Sequence, residues 1–248
     1  HWQDQGLDVQ ATDTRVQLNW PLLWQGQLPL TALDIGKLSL SDQRPASPKV
    51  ALQALPLPLK IRLPLRIGQL HWAGSPALDI AGLQADYQYD GQDHRLTLAP
   101  LDIGQGRYTA QARLQAAAPM ALDIQLQGQI KTASAAHSRP LTLNANATLQ
   151  GTLSGPSAQL VLTTRILPAG SASAGMQLSL EATLRPWQDQ PVQNATGQWQ
   201  EIDLASLWPG APHTQLSGQG AVTPDASGWQ FNGQVRNANP GPWNRTQL

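Results

Sequence analysis

A strictly alternating stretch between residues 55 and 72 limits what this chain can fold into. It reads LPLPLKIRLPLRIGQLHW, and every odd position from 55 to 67 is a leucine or an isoleucine. An alternation with a period of two predicts a β-strand that carries one aliphatic face. The aliphatic positions are Leu55, Leu57, Leu59, Ile61, Leu63, Leu65 and Ile67.

The prolines of this stretch all occupy even positions, at Pro56, Pro58 and Pro64. In an extended strand the N–H groups of alternate residues point to the same edge, so the three prolines remove donors from one edge only. We therefore expect the strand to pair on its other side alone and to form a blunted edge of the sheet. Fully extended, residues 55–67 would span roughly 40 Å, against about 15 Å for the hydrocarbon depth of one leaflet.

The aliphatic stripe has two interpretations, a buried core or the lining of an open groove. In a β-sandwich a second sheet would cover the stripe, and alternation alone favours this arrangement. In an open groove the same residues would hold apolar ligands such as acyl chains. The lining predicted for that groove comprises the seven residues above together with Leu96, Leu98, Leu122, Ile124 and Leu126.

Alternating segments recur along the whole chain, for example at residues 83–89, 108–114 and 141–149. Turn signals such as Asp90-Gly91 separate them at spacings short enough for hairpins. The sequence therefore predicts an all-β fold of antiparallel strands. Residues 203–209 are the exception, because Asp203 is a suitable N-cap and the segment ends in a proline. We expect at most one short helix, near residues 203–208.

Three polar or small-residue stretches are expected to be loops, at residues 41–49, 131–140 and 168–175. The second of them is the best module boundary. It gives an amino-terminal β module at residues 1–130 and a second β module at residues 131–248. Because the chain begins without a methionine and ends in mid-pattern, we expect both modules to be a fragment of a longer chain.

The composition excludes several classes of function. Charged residues make up 13% of the chain, and 16 basic residues balance 16 acidic ones, so there is no electrostatic footprint for nucleic acid. The lack of cysteine excludes a disulfide framework, a thiol nucleophile and a cysteine metal site. No apolar run in the sequence approaches the roughly 18 residues of a membrane-spanning helix.

The sequence offers no candidate active site. Asp93-His94 follows a turn signal and is interpreted as a polar hairpin end. We expect no enzymatic activity, no cofactor and no metal, with an enzyme that acts on glycans through Asp93 and the tryptophans as an alternative. The histidines lack the HxH or HExxH spacing of metal ligands; they are His1, His71, His94, His137 and His213.

Three segments of the first half occur in a familiar order: LPLTALDIGKLSLSD (28–42), LPLPLKIRLPLRIGQLHW (55–72) and LDIAGLQADYQYDGQDHRLTLAPL (78–101). Near the end, IDLASLWPGAP and NANPGPW form a second ordered block within residues 202–248. This arrangement resembles the TamB proteins of Gram-negative bacteria, part of the wider AsmA-like group. The two blocks together cover most of the chain outside its loops.

The resemblance implies an elongated, curled β-structure with an open hydrophobic groove, called a β-taco. It would lie in the periplasm, as part of a protein anchored in the inner membrane. The implied function is phospholipid transport between the inner and outer membranes, with support of outer-membrane protein assembly and autotransporter secretion. Phospholipid acyl chains are the implied partners, and a TamA-like outer-membrane barrel would meet the carboxy-terminal part of the parent. The competing expectation is a closed β-sandwich interaction module or adhesin-type repeat without a lipid path.

Overall fold

The computed structural model describes the chain except for residues 1, 5, 45–48, 75–76, 133–140, 171–174, 209, 226–227, 240–241, 244–245 and 248. Strands make up 67% of the structure and no described helix reaches seven residues, which confirms the predicted all-β class. Strands that follow one another in the sequence are hydrogen-bonded neighbours in the sheet. Some predicted features lie wholly or partly outside the described residues, namely the three loops, His1, His137 and Pro209.

The chain divides into two compact units, which are described separately below. Unit 1 contains His1–Ile124 and Thr152–Gly155, and unit 2 contains Gln125–Gly151 and Pro156–Leu248. The first change of unit falls after Ile124. The boundary predicted from the sequence lies later, between residues 130 and 131.

The strands of unit 1 follow one another in the sheet in the order of the sequence. Their hairpins use the expected turn chemistry, because Gly91 has a φ of 100° and the Asp90 carboxylate accepts the N–H groups of Gln92 and Asp93. The strands are β1 Trp2–Asp4, β2 Leu7–Leu18, β3 Leu30–Asp42, β4 Ile61–Trp72, β5 Leu78–Tyr89, β6 Asp93–Ile103, β7 Gly106–Gln115 and the first residues of β8 Ala121–Lys131.

In unit 2 each strand from β9 to β13 pairs antiparallel with the strand that follows it, up to β14. A separate pair of two-residue strands, β15 and β16, lies near the carboxy terminus. The strands that follow β8 are β9 Thr142–Thr152, β10 Leu160–Pro168, β11 Gln177–Leu184, β12 Val192–Ile202, β13 Leu216–Asp225, β14 Gly228–Asn237, β15 Pro242–Trp243 and β16 Thr246–Gln247.

One strand pair of unit 1 departs from the predicted antiparallel pattern. β3 and β4 run parallel, with Leu33 opposite Leu65 and Leu40 opposite Trp72. Parallel neighbours need a crossover connection of a dozen or more residues, and residues 43–60 supply it. The other strand pairs described for unit 1 are antiparallel, and an isolated bridge between Gln27 and Lys60 is parallel.

The strand predicted over residues 55–67 starts later than expected and is not an edge strand. β4 begins at Ile61, so Pro56 and Pro58 lie outside the described strands. Pro64 lies within β4, which pairs with β3 on one side and with β5 on the other. The edge-blunting role predicted for Pro56, Pro58 and Pro64 is therefore wrong.

The backbone of Lys60 explains how a proline fits inside a strand that pairs on both sides. Its N–H donates to the carbonyl of Gly26 at 3.0 Å, and its carbonyl accepts the N–H of Leu28 at 2.8 Å. Lys60 therefore directs its backbone groups toward the β3 side, and by alternation Pro64 does the same. The continuous ladder between β3 and β4 starts only at Leu65, so the missing N–H falls just before it.

Among the described residues, two short 3-10 helical turns lie between strands. Leu204–Ser206 follows Asp203, whose carboxylate accepts a backbone N–H of the turn, so the predicted N-cap is confirmed. The second turn, Trp20–Gln25, contradicts the expectation of at most one short helix. Pro21 at its start and Gly26 at its end, with a φ of 69°, account for it.

A row of four residues crosses β2 to β5 and interrupts their ladders at one level. Asp13, Gly36, Gly68 and Gly82 each lie between paired residues of their strands. Asp13 and Gly82 have φ angles of 54° and 69°, a region that favours glycine. A Cβ atom on Gly68 would lie 2.6 Å from the carbonyl oxygen of Gly36, so this position requires glycine.

The row shifts the alternation of the strands by one residue. On β4 the less exposed apolar residues are odd up to Ile67 and then become Leu70 and Trp72. β3 changes at the same level, from Ile35 to Leu38. A local break in the pleat changes which residues after it point to a given face of the sheet, so even positions replace odd ones. Half-buried apolar residues therefore continue beyond Ile67, where the predicted stripe ends.

Candidate functional site

The odd face of β4 is the candidate site of unit 1. Ile61, Leu63 and Leu65 are half-buried and Ile67 is 5% exposed, whereas the even residues between them are exposed. This confirms the predicted alternation for the part of the stripe that lies on the strand. That part spans roughly 20 Å, about half of the length expected from the sequence.

Cross-strand register extends this face over neighbouring strands. Leu65 lies opposite Ala85 on β5, which lies opposite Leu98 on β6. In the next row Tyr87 lies between Leu63 and Leu96. Directly opposed residues share one face of a sheet. We call the resulting surface the apolar face of unit 1; it comprises Ile61, Leu63, Leu65, Ile67, Ala85, Tyr87, Leu96 and Leu98.

The apolar face is less covered than a protein core. Of the residues predicted from the sequence to line a groove, Ile67 alone is buried, and Leu96 is 42% exposed. Fully buried core residues contact neighbours on all sides, whereas these residues keep part of their surface accessible. Because contiguous exposed apolar surface is a feature of binding sites, the apolar face of unit 1 is a candidate binding surface.

Leu55, Leu57 and Leu59 lie on an irregular segment before β4 and not on the strand. This segment, residues 52–59, crosses the ends of several hairpins, and we call it the crossing segment. Leu55 N–H donates to the carbonyl of Ala116 at 2.7 Å, and the carbonyl of Leu52 accepts the N–H of Gly155 at 2.8 Å. The predicted stripe is therefore divided between a strand and a segment that runs over strand ends.

His94 ties the crossing segment to the apolar face. Its Nε2 donates to the carbonyl of Leu55 at 2.8 Å, and its Nδ1 lies 2.7 Å from the hydroxyl of Tyr87. The His94 ring also stacks on Tyr89, with 4.5 Å between the ring centroids. Burial, followed by the charge of Tyr89, raises the pKa of Tyr87. The hydroxyl therefore keeps its proton, which it can donate to Nδ1.

Asp93 forms an ion-pair cluster beside His94. Its Oδ2 lies 2.7 Å from Nη2 of Arg113 and 3.1 Å from Nη2 of Arg95. The hydrogen bond that Arg113 donates to the Asp93 carboxylate raises the pKa of Arg113. N–H groups of Asp93 and Gln92 lower the pKa of the adjacent Asp90, which also pairs with Arg95. These contacts stabilise the hairpin end, as the sequence interpretation of Asp93-His94 expects.

The remaining predicted lining residues lie on β8 as half-buried alternate positions. Leu122 and Ile124 belong to unit 1, whereas Leu126 belongs to unit 2. Unit 2 has an apolar face of its own, in which Ala145 lies opposite Ile166 and Leu162 lies opposite Ala182. Its lining is dominated by leucine and alanine.

Sequence reasoning missed the crossing segment and its anchor at His94. The signal was present in part, because alternating prolines favour an extended backbone without strand pairing. No local sequence pattern indicates that Leu55 contacts His94 or that His94 is buried. The hydrogen bond between them joins residues that are far apart in the chain.

No family model, curated protein or solved structure matches the chain. Within the described ranges, no helix is long and apolar enough to cross a membrane. Nor does that part of the chain gather three or more side chains able to hold a metal ion. The geometry of the apolar faces is therefore the main guide to function.

Proposed function

We propose that this chain is a non-enzymatic segment of a TamB-like groove protein, whose apolar faces bind phospholipid acyl chains. The observation that carries the proposal is a row of partly exposed aliphatic side chains on one sheet face of unit 1, at Leu63 and Leu65 on β4 and at Leu96 and Leu98 on β6. Lipids would pass through the periplasm of a Gram-negative bacterium, between its inner and outer membranes.

The chemistry of the lining suits a flexible apolar chain. Each methylene group that leaves water contributes about 0.8 kcal/mol, so a few tail carbons suffice to hold a lipid. Leu63, Leu65 and Ile67 offer no hydrogen bond that would select one headgroup. Binding of this kind has little specificity, and a bound tail can slide along the face.

The wider role follows from the same resemblance. The segment would form part of a periplasmic protein anchored in the inner membrane, and it would support outer-membrane protein assembly and autotransporter secretion. Contact with a TamA-like outer-membrane barrel belongs, in this proposal, to another part of a longer parent chain.

A pair of substitutions on β6 tests the proposal. Leu96 lies on the apolar face and is 42% exposed, whereas its neighbour Thr97 is exposed and points to the opposite face. We expect Leu96→Asp to lower the free energy of unfolding by about 1–2 kcal/mol, because Leu96 is only partly buried and the carboxylate can remain in water. It should nevertheless lose lipid that the parent and Thr97→Asp carry.

The measurement is mass spectrometry of organic extracts from the three proteins, purified from a Gram-negative host, with unfolding curves as a check of stability. A parent and Thr97→Asp that carry phospholipid, beside a folded Leu96→Asp that carries much less, would support the proposal. A folded parent without phospholipid would contradict it. Severe unfolding of Leu96→Asp would favour the closed β-sandwich module, because a buried unpaired carboxylate is costly.

A further inference from the structure

The turn between β2 and β3 presents the most exposed aromatic residue of the described chain. Trp24 is 93% exposed and Trp20 is 62% exposed, and Leu23 between them is 41% exposed. Two further apolar residues, Val16 and Leu18, are half-exposed at the end of β2. We call residues 16–26 the tryptophan tip.

The tip is ordered although its side chains face solvent. The N–H of Gly26 donates to the carbonyl of Leu23 at 3.0 Å, and that of Gln27 donates to Leu22 at 3.0 Å. Asn19 N–H donates to the carbonyl of Pro29 at 2.7 Å, which closes the base of the turn. The tryptophans are thus held outward by a hydrogen-bonded backbone, and no residue of Trp20–Gln25 is buried.

The tryptophan tip lies in an uncharged part of the sequence. Residues 16–33 contain no charged side chain, and the flanking charges Arg15 and Asp34 lie opposite each other below it. Lys60 N–H donates to the carbonyl of Gly26 at the end of the tip, while its side chain extends toward Gly91 in the turn between β5 and β6. An exposed tryptophan and leucine surface without charged side chains suits the interfacial region of a bilayer, where indole rings are enriched.

The size of the tip argues against a protein partner. A six-residue 3-10 turn roughly 12 Å long presents less surface than the about 800 Å² that each partner of a stable protein interface buries. A bilayer needs no matching surface, since indole rings settle at the level of the headgroups.

We propose that the tryptophan tip docks this protein on a phospholipid bilayer by inserting Trp20, Leu23 and Trp24 into the interfacial region. The surface is separate from the apolar face of unit 1, and the proposal does not depend on acyl-chain binding there. The partner is the membrane surface itself, and docking would place unit 1 where lipid is available.

Vesicle co-sedimentation of the whole chain tests the proposal, with vesicles of phosphatidylethanolamine and phosphatidylglycerol. Replacing both Trp20 and Trp24 by alanine should lower the partition coefficient at least roughly tenfold, because two large side chains no longer leave water. Trp208→Ala is the matched control, since Trp208 is 59% exposed in unit 2.

A depth probe provides the second measurement. Because the chain has no cysteine, Leu23→Cys can carry a single environment-sensitive fluorophore, with Gln198→Cys on β12 as the control. We expect a blue shift on adding vesicles for the first label only. Equal binding of the parent and the double tryptophan variant, or no shift at Leu23→Cys, would overturn the proposal. So would a dimer in solution that the double variant abolishes.

These outcomes are distinct from those of the extraction experiment. If the double tryptophan variant loses vesicle binding but still carries lipid in extracts, docking is separate from acyl-chain binding. If Leu96→Asp loses lipid but still binds vesicles, the same conclusion follows.

Discussion

The carboxylate of Asp203 organises the helical turn of unit 2. Its oxygens accept the N–H groups of Ala205 at 3.2 Å and Thr214 at 3.0 Å, and the hydroxyl of Ser206 at 2.8 Å. Burial raises the pKa of Asp203, but these hydrogen bonds and one from His213 outweigh burial, so the pKa lies below its ordinary value of 3.8. One ionised side chain therefore joins β12, the turn and the segment before β13.

The first prediction concerns Asp203 and acid. Because folding lowers its pKa, the ionised carboxylate stabilises the protein above about pH 4, and this contribution is lost as the pH falls further. Asp203→Ala should cost about 1–2 kcal/mol near neutral pH through loss of the cap. Asp203→Asn, which keeps one acceptor oxygen, should lose less stability between about pH 5 and pH 3 than the parent does. Denaturant unfolding at several pH values measures both effects, and an unchanged acid dependence in Asp203→Asn would contradict the assignment.

At the scale of the element, the row through Asp13, Gly36, Gly68 and Gly82 decides how the apolar face continues. Four neighbouring strands change their alternation at one level, so the break is a property of the sheet and not of one strand. The close approach of Gly68 to the carbonyl of Gly36 fixes that level.

The second prediction compares two strand glycines. Gly68→Ala should destabilise the protein by roughly 2 kcal/mol or more, because the new methyl group overlaps a backbone oxygen that cannot move freely. Gly197→Ala on β12 is the matched control, since its Cβ would meet nothing closer than 3.8 Å. We expect that change to be neutral or slightly stabilising. Similar unfolding free energies for both variants would show that the row is not sterically fixed.

Local patterns in the sequence predicted much of each element but not the partners of all strands. Alternation identified the face of β4, and the Asp203 cap was readable because its partners are close in the chain. The parallel pairing of β3 and β4 depends on the path of residues 43–60, and no local pattern reports that path. Prolines indicated that pairing fails near residues 56–58, yet the reason is a crossing segment and not an open edge.

At the scale of the whole molecule, two units each present an aliphatic face built from alternate strand residues. The face on which a residue lies could be predicted where the chain follows regular strands, as at Leu63, Leu65 and Leu98, whereas their role as a groove lining stays a prediction. It was predicted poorly at Leu55–Leu59, because a pairing to Ala116 and His94 can be seen only in the fold. Partial exposure of the lining has no sequence signature, and this exposure is what the functional proposal depends on.

The central claim is that the apolar face of unit 1 holds phospholipid in the cell. Leu63 and Arg62 are neighbours on β4 that point to opposite faces, so they form a matched pair for a photoreactive amino acid. Benzoylphenylalanine at each position would be illuminated in living Gram-negative cells, and the adducts would be identified by mass. The account predicts a phospholipid adduct at position 63 and little or none at position 62. A folded protein that gives no lipid adduct at position 63, or equal adducts at both positions, would contradict it.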